Sequence, residues 1–447
     1  MSSYSRGISR RRAVAIGAAA TALPLVHIRT GHAAGKVSVG FWDHWVPAGN
    51  DIMKKQCDAW GAKNQVEVQA DFITSIGAKN ILTIAAEAQA KTGHDIQQLP
   101  GWEVQNHADQ LEPMDDVMKG LIGQYGPVVK ASQYMHQVKG HWMAVPCSAG
   151  NQNKGPCGRI SVLKNVGLDV VKMYPASAPA TAEADNWTYD TLLKVAEGCQ
   201  KANMTVAIGL GTTADSVDTA GGMFAAFGAN VINEEGAVDV RSNEVRQVME
   251  YAQQLVKYLP ADAVSYDDAS NNRALIAGKS ALIWNPPSAW AVAKRDSPAV
   301  AADCWTFPAP KGPKGRFLPL GAFAWGAWDF SPNKQAAKEL IAFLSQRENV
   351  EARCNAVDGY DVPPFASMDD FKIWDEVSPP KGTVYHYPIR PSHHQESWVA
   401  MAPAPPEIAV QAYNRGTLPT MLAKLQSGQS IKQVLDWAED ELGGFTR

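Results

Sequence analysis

From Lys36 onward the chain alternates two periodicities, and that alternation is the strongest constraint on its fold. Val37, Val39 and Phe41 recur every second residue and read as a strand. From about Asp51, Met53, Cys57 and Trp60 are spaced for one face of a helix. Val66, Val68, Ala70 and Phe72 give a second strand, Ile76 to Ala90 an Ala-rich helix, and Gly93-His94-Asp95-Ile96 the start of a third strand. Parallel strands need a crossover, commonly a helix, so this order predicts an α/β fold with mostly parallel sheets flanked by helices. Such sheets receive ligands beyond the C-terminal ends of their strands. Trp42-Asp43-His44-Trp45 and Trp102-Glu103 fall there. Their rings offer flat apolar faces and their polar groups offer hydrogen bonds, so all six are candidate ligand contacts. The plainer readings are a core Trp beside a solvated turn, and for Glu103 a first-turn residue favoured by the helix dipole.

At 447 residues the chain exceeds one ordinary core and suits two lobes. Five arginines and no acid fall in residues 1–33, so the net charge of −4 leaves −9 over the remainder. An acidic main body argues against nucleic acid or an anionic membrane as partner. Ser9-Arg10-Arg11-Arg12 followed by the apolar run Ala15 to Val26 and by Gly31-His32-Ala33 reads as a signal segment, residues 1–34. The paired arginines favour twin-arginine (Tat) export, with Sec as the alternative. No Cys follows the run, so the expected location is the periplasm, without a lipid anchor.

A second block is more specific. Cys304 to Trp328 runs from an extended apolar segment through Pro310-Lys311-Gly312-Pro313-Lys314-Gly315-Arg316 into Gly321, Phe323, Trp325, Gly326 and Trp328. The middle cannot be helix interior. Taken alone, the block reads equally as two core strands around a surface turn. Ser331-Pro332 then reads as a helix start, with Ala337, Leu340, Ile341 and Leu344 as its apolar stripe. Leu111-Glu112-Pro113-Met114-Asp115-Asp116, Gly140-His141-Trp142-Met143-Ala144-Val145-Pro146, Thr188-Tyr189-Asp190-Thr191-Leu192, the helix-Gly-strand unit Leu275 to Leu282, and Asp358-Gly359-Tyr360-Asp361-Val362-Pro363-Pro364 occur in a matching order. Together they resemble the extracellular solute-binding proteins of ABC importers, in the sugar-binding group related to maltose-binding protein. The chain departs from that pattern at Asn151-Gln152-Asn153-Lys154-Gly155-Pro156-Cys157-Gly158-Arg159, where the family continues with a Tyr-Asn-Lys strand. Unusual ligand contacts are expected from this loop.

The resemblance implies a two-lobed α/β fold with a ligand cleft between lobes: residues 35–146 and 309–357 in lobe 1, residues 147–308 and 358–447 in lobe 2. It implies a binding protein, not an enzyme, that delivers a sugar or oligosaccharide to ABC permease subunits by hinge closure, as a monomer without cofactor. A polyol or other polar solute, and an exported carbohydrate-active enzyme, stay open as alternatives. Trp284, Asn285 and Trp290 are candidate contacts from the second lobe, with Trp325, Tyr360 and, by backbone approach, Gly321 completing the set. Gly228 to Val240 reads as a hairpin turning at Asn233-Glu234-Glu235-Gly236. Of the six cysteines, Cys147 and Cys157 flank a short loop and are the expected disulfide. His386, His393 and His394 are read as a solvated loop before a metal site, and no metal is expected. Neither a phosphate-binding Gly loop nor a recognisable acid/base pair of carboxylates is present.

Overall fold

The computed structural model describes residues 35–175, 178–376 and 395–445. Residues 1–34, expected to be a signal segment, and the histidines 386, 393 and 394 lie outside the described residues. The strands, in chain order, are β1 (Gly35–Trp42), β2 (Val66–Ile73), β3 (Ile96–Pro100), β4 (Gln137–Val138), β5 (His141–Trp142), β6 (Val145–Asn153), β7 (Pro156–Arg159), β8 (Thr205–Ala207), β9 (Ser280–Trp284), β10 (Cys304–Thr306), β11 (Arg316–Ala327) and β12 (Gln395–Trp398).

They build two main sheets. The first has the order β12-β11-β3-β1-β2, with β6 also paired to β11; the second has the order β10-β7-β9-β8. β1 and β3 run parallel, with Val39 opposite Ile96, as the strand–helix alternation requires. The sheets are nonetheless mixed. β11 is antiparallel to β3 and to β6, and β7 is antiparallel to both β9 and β10. The antiparallel partners arise where the chain passes between sheets, because a returning strand enters against the direction of those already present.

Local sequence explains the element ends. The helix Pro47–Asn64 begins earlier than the apolar spacing suggested, because Pro47 supplies a pre-set φ at its first position. It buries Met53, Cys57 and Trp60 and stops at Gln65, whose φ is 57°. The segment expected as one helix from Ile76 is broken: Gly77 and Ala78 have φ of 67° and 57°, leaving a short turn before the helix Lys79–Ala90. The 228–240 hairpin reduces to a single bridge, Ile232 to Val238, around a turn in which Asn233 Oδ1 accepts the Ala237 N–H at 2.8 Å. Ser331 does not cap its helix directly. Its hydroxyl donates to Asp95 at 2.6 Å and accepts the Asn333 N–H, and the helix starts at Lys334.

Each sheet has its own core. Val37, Phe41, Trp60, Ile96, Trp325, Leu340, Phe365 and Trp374 pack about the first. Leu163, Leu192, Val206, Phe224, Leu282, Trp305, Leu422 and Leu442 pack about the second. Two buried arginines each pin chain segments beside one of these cores. Arg316 donates to the carbonyls of Ala184, Trp187 and Ala309 at 2.7–2.9 Å. Arg353 donates to Gln56 and to the Leu344 carbonyl and lies 5.1 Å from the Trp325 ring centroid.

The expected Cys147–Cys157 bridge does not form: all six cysteines are free and buried. The two residues sit on different strands with different partners. Cys147 lies opposite Phe323 in the first sheet, and Cys157 opposite Thr306 and Ile283 in the second. Burial pushes the Cys57 thiol up to about 12 and Cys199 to about 11, so little thiolate exists at neutral pH. Alkylation of the folded, unreduced protein should therefore label none of the six, and denaturation without reductant should expose all of them. Fewer than six labels after denaturation would reveal a disulfide.

Candidate functional site

The site is assembled where the first sheet gives way to the second. β1 ends at Trp42, whose backbone N–H is held by Gln98 Oε1 at 3.0 Å; the same Gln98 donates to the Ala149 carbonyl of β6 at 2.6 Å. The turn after β1 then folds inward. His44 Nδ1 accepts the Val46 N–H at 2.9 Å, which leaves the ring proton on Nε2, donated to Asp361 at 3.0 Å. Asp361 also accepts the Gly150 N–H at 2.9 Å. One carboxylate thus ties β1, β6 and the 358–364 crossing together.

Above this tie lies an aromatic wall. Trp42 is 4.8 Å from His44, 5.4 Å from Phe323 and 6.4 Å from Tyr360, centroid to centroid. It flanks a cavity of about 310 Å³ bounded by Trp45, Trp290, Tyr360, Val357, Lys294 and Asp358, among others. Ligand pockets start at roughly this size. Trp290 and Lys294 come from the helix Pro286–Asp296, whose first turn follows β9 of the second sheet. Lys294 lies over the Trp290 ring at 4.8 Å and pairs with Asp358. The cavity therefore has one wall from each sheet's neighbourhood.

A separate polar cluster, the polar floor, gathers at the ends of β6 and β9, around Lys154 and Asp215 rather than in the lining of that cavity. All nine residues of β6 are buried, including Asn151, Gln152 and Asn153. Lys154 follows, bonded to Asp215 at 2.9 Å and Asp218 at 2.8 Å. Burial disfavours the Lys154 charge, but the two carboxylates outweigh it and hold its pKa well above the ordinary lysine range. Asn271 and Asn285 both donate to Asp215 at 3.2 Å. Asn285 adopts φ 140°, a strained backbone that places its side chain at the end of β9.

Trp45, Trp290 and Tyr360 line the cavity, Trp42 and His44 pack behind it against Tyr360, and Asn285 and Gly321 lie at the polar floor. A Cβ on Gly321 would lie 3.0 Å from Lys154 Cε, so the glycine makes room for that side chain. Other candidates lie elsewhere. Asp43 is exposed and accepts from Asn50 at 2.7 Å, holding the turn. Glu103 bonds Asn106 and His107 within its own helix end. Trp325 is fully buried in the first core under Arg353. Trp102 packs on Tyr134 and Tyr413, and Trp284 lines a small crevice with Asp215 and Asn271. Asp215, Asp218 and Asp268 are in no sequence-derived motif, and Lys154, Phe323 and Asp361 occur in motifs without being among the candidate contacts. Only the departure at Asn151 to Arg159 marked this region in advance; the three aspartates belong to no local motif.

Two cores joined by chain crossings, with an aromatic cavity at their junction, define a two-lobed solute-binding protein. Residues 55–379 match the family described as bacterial extracellular solute-binding protein, and the chain belongs to that family. A Deinococcus radiodurans protein described as a probable ABC transporter-binding protein is 24% identical over 373 residues, 79% of this chain and 82% of its own. Among solved structures, the maltose-bound MalE3 of T. maritima superposes with a TM-score of 0.71 at 19% identity, covering 92% of this chain and 100% of that one. A chitin oligosaccharide binding protein gives 0.70 at 16% identity, covering 92% and 99%. A laminaribiose-bound sugar transporter from Arthrobacter chlorophenolicus A6 gives 0.66 at 17%, covering 92% and 99%. At these identities the likeness carries the fold.

One titration reports on the polar floor. Burial, and next the Asp215 carboxylate, push Asp268 up from 3.8 to about 6, with Lys154 pulling the other way. The folded chain therefore holds this proton more tightly than the unfolded chain does. The associated stability is fully present below about pH 4 and is lost as pH rises to about 6. Urea titrations should show the wild type losing stability relative to Asp268→Asn between those values, and no further change up to about pH 8. A pH-independent difference would contradict the assignment.

Proposed function

We propose that this protein captures a sugar or oligosaccharide in the periplasm and delivers it to the permease of an ABC importer. The observation that carries the reading is the cavity in which Trp45, Trp290 and Tyr360 meet beside buried polar groups at the junction of the two sheets. A sugar presents apolar C–H faces and a rim of hydroxyls, so it needs flat rings and fixed polar partners together. The described solved structures bind maltose, chitin oligosaccharide and laminaribiose, which supports this ligand class. The first sheet with its core forms one lobe and the second sheet with its core the other; residues 147–153 and 362–374, expected in the second lobe, pack with the first. The ligand touches both lobes, so it favours the closed arrangement by its differential affinity. The chain acts as a monomer, by binding and not by turnover. The twin-arginine segment before residue 35 directs its export. No helix among the described residues is long and apolar enough to cross a membrane.

Mass spectrometry of the solute released from purified protein identifies the ligand, and calorimetry with that compound tests the site. Trp45→Ala and Trp290→Ala should each cost roughly 1–3 kcal/mol of binding, about 5- to 150-fold in affinity. Ligand-free stability should stay within about 1–2 kcal/mol. Trp325→Ala, in the first core, should instead lower ligand-free stability by about 3–5 kcal/mol. Unchanged affinity in both cavity variants would overturn the site. Small-angle scattering should show a more compact particle on saturation, and an unchanged profile would overturn hinge closure.

A further inference from the structure

The hydrogen-bonding groups left over at the polar floor are not balanced. Asn151 donates its Nδ2 to the Val362 carbonyl, and its Oδ1 has no partner. Asn285 donates its Nδ2 to Asp215, and its Oδ1 has no partner. Both amides are oriented by acceptor-only neighbours, so these free atoms are acceptors whichever way the groups are examined. Gln152 Oε1 and Asp268 Oδ1 are likewise unpartnered. Asn153 leaves both atoms open, and Trp102 Nε1, against Tyr413, is a further unpartnered donor. Asn151, Asn153 and Asn285 are 2–4% exposed, so bulk water does not serve them.

Asn285 and Asp268 meet at Asp215, which pairs with Lys154 directly after Asn153, while Asn151 and Asn153 share one face of β6 and Gln152 takes the other. Asn151 to Asn153 are on β6, the Asn285 N–H donates to the Gly155 carbonyl just beyond it at 3.0 Å, and Asp268 is bonded to the backbone of Asp215. The charges there lean the same way. Among the described residues Lys154 is the cation paired with Asp215 and Asp218 and acting on Asp268, with the Tyr413 hydroxyl on Asp218. Basic groups at the cavity mouth do not reverse this: Lys294 is paired with Asp358 and Arg295 with Asp296.

We propose that this floor is a donor-selective subsite, which accepts the hydroxyl groups of an uncharged saccharide and rejects sugar acids. The proposal rests on the sugar-binding reading above. A hydroxyl can donate to each open acceptor while its oxygen accepts from Asn153 or Trp102. A carboxylate brings only acceptors, leaves those atoms unpaired, and sits among three aspartates.

The test is calorimetry at about pH 7.5 on the full chain. The probes are neutral glucose, galactose, xylose, maltose and cellobiose, the amine glucosamine, and the acids glucuronate and galacturonate. At least one neutral sugar should bind, about tenfold or more tighter than its matched acid. Asp268→Asn should narrow that gap by about threefold or more through a gain in acid affinity, while binding of the neutral sugar shows that the variant is folded. An acid binding as tightly as its neutral match overturns the subsite and leaves the sugar-binding reading standing. Glucosamine as the only binder also overturns it, in favour of a cation site. Binding of none of the probes overturns the subsite together with the sugar-binding reading.

Discussion

Burying polar side chains along a central strand is the constraint on which the rest of this structure turns. β6 is buried from Val145 to Asn153. Its first half, with Val145, Cys147 and Ala149, joins the core of the first sheet. Its second half carries Asn151, Gln152 and Asn153 into the junction between sheets. The backbone is served by β11, in register at Leu320–Asn153 and Gly321–Gln152, with an irregularity before Phe323. The side chains are only partly served, and each buried group without a partner costs about 1–3 kcal/mol. Under the proposed hinge closure, a junction closed without ligand would leave those groups unserved, and a ligand that fills their positions would favour the closed arrangement. The same atoms that would read the ligand also couple its presence to the conformation.

The crossings themselves are fixed by ionic and polar ties. Asp361 joins His44 to Gly150, Lys154 joins β6 to Asp215 and Asp218, and Lys294 joins the helix after β9 to Asp358. The Asp361 and Lys154 ties are buried; such pairs are weak sources of net stability, but losing one partner leaves a buried charge uncompensated, whereas the Lys294–Asp358 pair is exposed. They act as registration points: each positions an aromatic residue, as His44 does for Trp42 and Lys294 for Trp290.

The α/β class, the order of the elements and the first-sheet strands were legible because periodicity reports which faces are buried, and that information is local. Thr188, within the Thr188 to Leu192 motif, caps its helix by accepting the Thr191 N–H, and Gly278 adopts φ 69° beyond its helix. Misreadings came where tertiary context decided. Ser331 is drawn away from its expected cap by Asp95, from β3's start. Trp325 and Trp45 look alike in sequence, yet one is sealed under Arg353 and the other faces a cavity. Cys147 and Cys157 are close in sequence but belong to strands of different sheets. The floor of the site was least legible. Asp215, Asp218 and Asp268 converge on Lys154 only after a helix start and two loops have been placed, and no spacing rule brings them together.

The central claim is that the ligand lies at the junction of the two sheets, between the aromatic wall and the polar floor. A crystal structure of the protein with its co-purified solute tests it most directly. The ligand should stack against Trp45 or Trp290 and hydrogen-bond to Asn285 or Asn153. Ligand density seated elsewhere, with those side chains untouched, would contradict the account.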